Sequence, residues 1–390
     1  MNDTRIVHWV DHLAGEVLRR MQNLGATSLF RWILETPLRA TIALSAFTIL
    51  SNFPLYDLAY VQGSTGPNWP PFFEQVEAPF RDHTHTYSDW SHASKLGFRF
   101  VPAVLCKVLG LHTVPLVWAF QLLTLFALHA LLFALLLHWS GSIKKAFLAT
   151  LSCCLVAGGH PYLEDIWGYF DTLALAFSMA AILTRRPGLS ILFLLLAWFT
   201  DERALVASPA LLLFHWASVM KAGGNGRLVD VLRRSFPLVS AWAIYAVLRI
   251  ALGHWFGLRS APVATTYLLD QWPTALTALG RGCEGLLMIV ALLLVALWNG
   301  RAFGFLLAYV AGFCLVWGTA MAVIDVDRSM AYLLPYLALA LAMLNDRVPP
   351  QRLYPLVALS MILNLFLGQS WSLPAQAYRM IFIDHTAPLF

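Results

Sequence analysis

Residues 112–138, HTVPLVWAFQLLTLFALHALLFALLLH, decide the fold. The run contains no Lys, Arg, Asp or Glu. A helix of this length, at about 1.5 Å per residue, exceeds the roughly 30 Å hydrocarbon core of a bilayer. A soluble core helix is apolar along one stripe, whereas this run is apolar all round. The same character extends along the chain. Of its 390 residues 59% are hydrophobic and 12% charged, and the mean hydropathy is +0.67. A water-soluble domain of this size needs a polar surface that such a composition does not supply. The chain reads as an all-α, polytopic integral membrane protein.

Further apolar segments fall at 39–57, 144–159, 168–184, 187–200, 203–220, 235–256, 275–298, 302–323, 329–345 and 353–370. With 112–138 they predict about eleven spans. Several are shorter than about 20 residues, which predicts tilted, broken or re-entrant segments. Residues 97–110, GFRFVPAVLCKVLG, are too short and too charged to cross, and read as an interfacial helix. The predicted organisation is a cytoplasmic amphipathic segment at 1–38, a transmembrane domain at 39–370 with a long first extracytoplasmic loop at 58–111, and an extracytoplasmic tail at 371–390.

The basic residues set the orientation. Arg5, Arg19, Arg20, Arg31 and Arg39 precede the first span. Lys144 and Lys145, Arg185 and Arg186, then Lys221, Arg227, Arg233 and Arg234 fall in alternate connections, followed by Arg301, then Arg347 and Arg352. That face is cytoplasmic by the positive-inside rule. Residues 5–35 lack the pattern of a signal peptide and read as a helix on the cytoplasmic surface. Arginine outnumbers lysine, a usage common in GC-rich bacteria, so the predicted location is a bacterial inner membrane with the site on its outer side.

The acids sort the other way. Beyond the N-terminal segment, only Asp230 and Asp346 fall on the cytoplasmic face, whereas Asp57, Asp82, Asp89, Asp165, Asp171, Asp201, Glu202, Asp325 and Asp327 fall on the outer face. Loop charges are commonly just solvated. Three outer turns, however, place charges at the very ends of apolar runs: GYFDTLALAF with Asp171, WFTDERALVASP with Asp201, Glu202 and Arg203, and AVIDVDRSMAYLLP with Asp325, Asp327 and Arg328. Ionisable groups at that depth are costly unless paired or wetted, which predicts one shared outward-facing site.

The loop stretch FRDHTHTYSDWSHASKLGFR, residues 80–99, concentrates titratable groups in an apolar chain. One reading makes Asp82 and His83 a catalytic pair, with Asp89 a further carboxylate. Another makes His83, His85 and Asp89 or His92 ligands of a divalent metal, since alternate residues of an extended strand share a face. The plain alternative is a wet lid. His160, in GGHPYLEDIWGYFD, fits either active reading. The sequence names no cofactor, and a divalent metal is not required by it. The five cysteines lack metal-site spacing and read as buried thiols. No phosphate-binding glycine loop, zinc-protease motif, nucleophile elbow or nucleic-acid module is present.

A first span followed directly by an aspartate (SNFPLYDLAY, Asp57), a long charged first outer loop, and many further spans with short connections: this arrangement resembles the GT-C superfamily of integral membrane glycosyltransferases. The resemblance implies transfer of a sugar from a polyprenyl-phosphate donor to a lipid or glycan acceptor on the outer face. It implies that Asp57 is the general base or acceptor-orienting carboxylate and that Arg328 faces the carrier phosphate. Lys95, Arg99 and Arg203 are further cation candidates, and Lys95 and Arg99, four apart, share a face if helical. Two other classes stay open. One is a different extracytoplasmic membrane enzyme: a polysaccharide polymerase or ligase, a phosphotransferase or a metallohydrolase. The other is a transporter or flippase of lipid-linked substrates, for which only Arg249 and Glu284 offer charges deeper in the membrane.

Overall fold

In a computed structural model of the chain, the described residues are 28–52, 64–82, 96–156, 165–223, 228–259, 266–323 and 325–367. Every regular element among them is helical. In chain order they are α1 (Ser28–Ile33), α2 (Pro37–Asn52), α3 (Trp69–Glu77), α4 (Val101–Leu109), α5 (Val114–Ser140), α6 (Ile143–Cys154), α7 (Asp171–Leu183), α8 (Pro187–Trp198), α9 (Arg203–Ala207), α10 (Pro209–Lys221), α11 (Leu228–Arg234), α12 (Phe236–Phe256), α13 (Thr266–Gln271), α14 (Ala275–Cys283), α15 (Leu286–Asn299), α16 (Phe303–Met321), α17 (Val326–Met330), α18 (Leu334–Asn345) and α19 (Pro350–Leu367). Single 3₁₀ turns, Trp272–Thr274 and Ala331–Leu333, link α13 to α14 and α17 to α18.

Over its described residues, each apolar segment picked out in the sequence carries a helix or a pair of helices. Four are long and apolar enough to cross a membrane: α5, α9–α10 taken together, α12 and α16. A fifth follows if the bent pair α13–α14 and α15 counts as one span. The others fall short for a physical reason. A helix such as α7 or α8, of 13 or 12 residues, rises only about 18–20 Å. The segment after residue 97, expected as an interfacial helix, forms the nine-residue helix α4.

At the centre lies α18, whose residues Leu334 to Leu344 are all buried. It packs against α5, α6, α10, α15 and α19. Its sequence LPYLALALAMLN explains this position: it has no polar face to leave in contact with solvent, and its alternating alanines let neighbours approach on every side. α12 is the reverse case, with Val239, Trp242, Val247, Ile250 and Trp255 exposed along it. Such a face suits contact with lipid tails.

The two ends of the bundle differ in chemistry. At one end Lys221, closing α10, donates from Nζ to the carbonyl of Trp139 (3.0 Å) and pairs with Asp346 after α18. Asn345 donates to the same carbonyl, and Lys145 lies over the Tyr354 ring. Lys145 and Lys221, which the sequence assigned to one face, lie at this end, together with Asp346. The other end holds Asp171, Asp201 and Asp325 with three arginines.

Candidate functional site

The turn between α8 and α9 starts the site. α8 ends at Trp198, and the Asp201 amide still donates to the Ala197 carbonyl. Asp201 Oδ1 then accepts the Arg203 backbone N–H (2.9 Å), which starts α9. The same residue pair closes a two-point fork, Arg203 Nε to Oδ1 and Nη2 to Oδ2, each 2.8 Å. This fork is the strongest geometry a guanidinium and a carboxylate offer each other.

Three other segments converge on that turn. Asp171, the first residue of α7, accepts from Arg203 Nη2 (2.8 Å), from Tyr332 (2.8 Å) and from Arg328 Nε. Arg328 also donates to Asp325 (3.0 Å), lies 3.7 Å from Asp201, and sits 3.6 Å over the Tyr169 ring. Arg203 Nη1 donates to Ser329 (2.8 Å). Arg99, just before α4, reaches Asp201 Oδ2 at 2.8 Å. Arg99, Arg203 and Arg328 therefore balance Asp171, Asp201 and Asp325, charge for charge.

Burial decides what each member does. Asp171 and Asp201 are buried, as is Arg328. Burial by itself would raise the Asp201 carboxyl, but Arg203 and Arg99 beside it hold it well below the usual carboxylate range. Arg203 has most of its N–H groups occupied, by Asp171, Asp201 and Ser329, and Arg328 donates to Asp171 and Asp325. Arg99 is different: its Nε is buried and has no partner among the described residues. Of the network's carboxylates, Asp325 keeps a side chain 41% exposed. Next to the network, Glu202 is 38% exposed and pairs with Arg249 at 3.1 Å. Arg249 also donates to the Tyr245 hydroxyl (2.5 Å) and lies 4.2 Å over Phe98.

A rigid loop presents Asp171 and Tyr169. Asp165 is buried and accepts the backbone N–H groups of Asp171 (2.9 Å) and Thr172 (3.1 Å), capping α7. Burial and the neighbouring Asp171 push the Asp165 carboxyl well above its ordinary range, against the pull of those hydrogen bonds. Gln121 of α5 ties down the loop through the carbonyls of Asp165 (2.7 Å) and Tyr169 (2.8 Å). Gly168, at φ +90°, lies so close to Asn68 that a Cβ would meet its side chain at 3.2 Å. The site thus rests on α3, α5, α7, α9 and α17 at once.

Of the residues the sequence proposed, Arg99, Asp171, Asp201, Arg203, Asp325 and Arg328 join one network, and Glu202 adjoins it. Asp82 closes the segment after α3 and is half-buried. Asp57, His83, His85, Asp89, His92, Lys95, His160 and the side chain of Asp327 lie outside the described residues, as do most of the N-terminal segment and the C-terminal tail. Among the described residues no cluster of His, Cys, Asp or Glu suits a metal ion. The sequence did not propose Asp165, Ser329 or Tyr332 as site residues. Tyr332 stands four positions after Arg328 and Ser329 four after Asp325, the spacing that shares a helical face, and that was the available signal.

Fold and site together define a membrane protein with a buried, internally neutral ion network at one end of a helical bundle. Comparison with family models, with curated proteins and with solved structures found no match to the chain.

Proposed function

We propose that the protein is a multi-pass membrane glycosyltransferase of the GT-C kind, acting on a polyprenyl-phosphate sugar at the extracytoplasmic face of a bacterial inner membrane. The observation that supports this is the state of Arg99. It is a largely buried arginine whose Nε has no partner among the described residues, paired with Asp201 in a network that contains the partly exposed Asp325 and adjoins the partly exposed Glu202. In the transfer, a carboxylate takes the proton of an acceptor hydroxyl as its oxygen attacks the anomeric carbon, and the bond to the carrier phosphate breaks. Asp57 is the base that the resemblance implies, with Glu202 or Asp325 as the accessible alternatives. Arg99 is the cation suited to the departing phosphate. Arg203 and Arg328, tied to carboxylates, hold the frame. On the eleven crossings and the positive-inside orientation that the sequence predicts, this frame faces outward.

The test is a transfer assay in proteoliposomes with a polyprenyl-phosphate sugar, following release of polyprenyl phosphate. Turnover that falls in Arg99→Gln while the protein stays folded supports the reading. Absence of any lipid-phosphate product across donor sugars, in protein shown to be folded, counts against it. One feature favours a second reading, a transporter of lipid-linked substrates: the span containing α15 breaks at Glu284, and broken helices are common at transport sites. Movement of labelled lipid across the vesicle without bond cleavage would select it.

A further inference from the structure

α13, the 3₁₀ turn and α14 run consecutively from 266 to 283, and meet α15 at an angle of 96°. α15 leads to Gly300, which lies beside Arg347 at the basic end. The 266–283 segment is therefore at the acid-rich end. Gln271 donates to the Val323 carbonyl after α16 (2.8 Å), and Trp317 of α16 donates to the Ala275 carbonyl (3.3 Å). Gly282 lies so close to α17 that a Cβ would come within 2.7 Å of Met330. A helix perpendicular to a membrane-directed helix, and at the end of the bundle, runs in the membrane plane.

Its surface divides into three. Ala275, Ala278 and Gly282 are buried against the protein. Leu269, Trp272 and Leu276 are exposed, Leu269 by 78% and Leu276 by 77%. Asp270, Thr274, Thr277 and Arg281 are exposed as well. Within α14, at about 100° per residue, Ala275, Ala278 and Gly282, then Leu276, then Thr277 and Arg281 occupy three separate sectors around the axis. A helix bathed in water has no reason to segregate exposed Leu and Trp from exposed Asp and Arg. A crossing helix would not display Asp270 and Arg281 to hydrocarbon. Three sectors suit three surroundings at once: protein, acyl chains and water. The exposed apolar sector adjoins α16, whose Leu307, Val310 and Leu315 are also exposed, so it continues a face already suited to lipid.

We propose that residues 266–283 form an in-plane membrane-interface helix, with Leu269, Trp272 and Leu276 seated at the boundary between lipid head groups and acyl chains, and Asp270, Thr277 and Arg281 in the head-group layer. The partner is the lipid surface itself. Because α14 packs on α17, the helix also fixes the depth of Asp325 and Arg328 relative to the head groups. This holds whatever chemistry the site performs.

Adjacent positions 276 and 277 give the test. Each is replaced singly by Cys in a Cys314→Ser background, since Cys314 is the exposed cysteine among the described residues, and carries a nitroxide in proteoliposomes. The label at 276 should collide mainly with dissolved oxygen, and the label at 277 mainly with a water-soluble nickel chelate. Equal nickel access at both positions would overturn the proposal in favour of a water-bathed face. Closure of both to either reagent would overturn it in favour of a protein partner. A second measurement leaves the surface unlabelled: the fluorescence lost in Trp272→Phe should be quenched more by lipids brominated near the carbonyl end than near the methyl end. No quenching of that component, or stronger quenching from the methyl end, rejects an interfacial depth.

Discussion

Asp171 and Arg203, 32 residues apart in the chain, meet at 2.8 Å with both side chains largely buried. Asp171 is also bound by Tyr332 and Arg328, so one carboxylate joins α7, α9, α17 and the turn before α18. Replacing Asp171 by Ala leaves two guanidinium groups facing a buried gap. The expected loss is about 3–5 kcal/mol, the cost of an uncompensated buried charge. Thermal unfolding in detergent measures it. The Asp171→Ala/Arg328→Ala double variant should lose less than the sum of the two single variants, as expected for partners in one network.

The arginines should separate by role. Arg99→Gln removes one ion pair from Asp201 but leaves its fork to Arg203, so it is expected to stay folded with a lowered melting temperature and to lower lipid-phosphate release by about 100-fold, the scale of one lost anion-stabilising donor. Arg203→Gln is expected to lose folded protein, because its fork to Asp201 and its bonds to Asp171 and Ser329 all go. Gel-filtration profiles and the proteoliposome assay, run on the same preparations, check both.

Asp201 gives a pH signature. Its folded carboxyl is held below the ordinary range, so it binds fewer protons folded than unfolded near pH 4. The stability it contributes is fully present above its unfolded value of about 3.9 and is lost as pH falls toward the folded value. Unfolding temperature followed downward from pH 6 should therefore fall more steeply below about pH 4 in the wild type than in Asp201→Asn. Parallel curves would mean that Asp201 does not contribute this way.

Glu284 sits at φ 45° where α14 gives way to α15, a conformation that strains any residue with a Cβ. Glu284→Gly and Glu284→Ala both remove the carboxylate, but only glycine relieves the backbone. The Gly variant should be more stable than the Ala variant by about 1 kcal/mol, measured by thermal unfolding.

Much of this molecule was legible in one dimension. A run such as 112–138 has no acceptable surroundings but lipid or a large apolar interior, so membrane character and helical class follow from local composition. The positions of Asp171, Asp201, Arg203, Asp325 and Arg328 at the ends of apolar runs followed too, because an ionised group is excluded from the middle of such a run. Tertiary structure alone decided which charges neutralise one another. A sequence shows that Arg99 and Arg328 are both cations near one face; it does not show that Arg328 is held by Asp171 and Asp325 while the Arg99 Nε has no partner among the described residues. The lack of any polar face suits α18 to the centre, but the sequence did not show which helices surround it, nor that α12, largely apolar apart from Arg249 and His254, stands at the rim. The hydrophobic effect has no direction. Position inside the bundle was set by what packs on each side, and pairing was set by which helix ends the bundle brings within hydrogen-bonding distance.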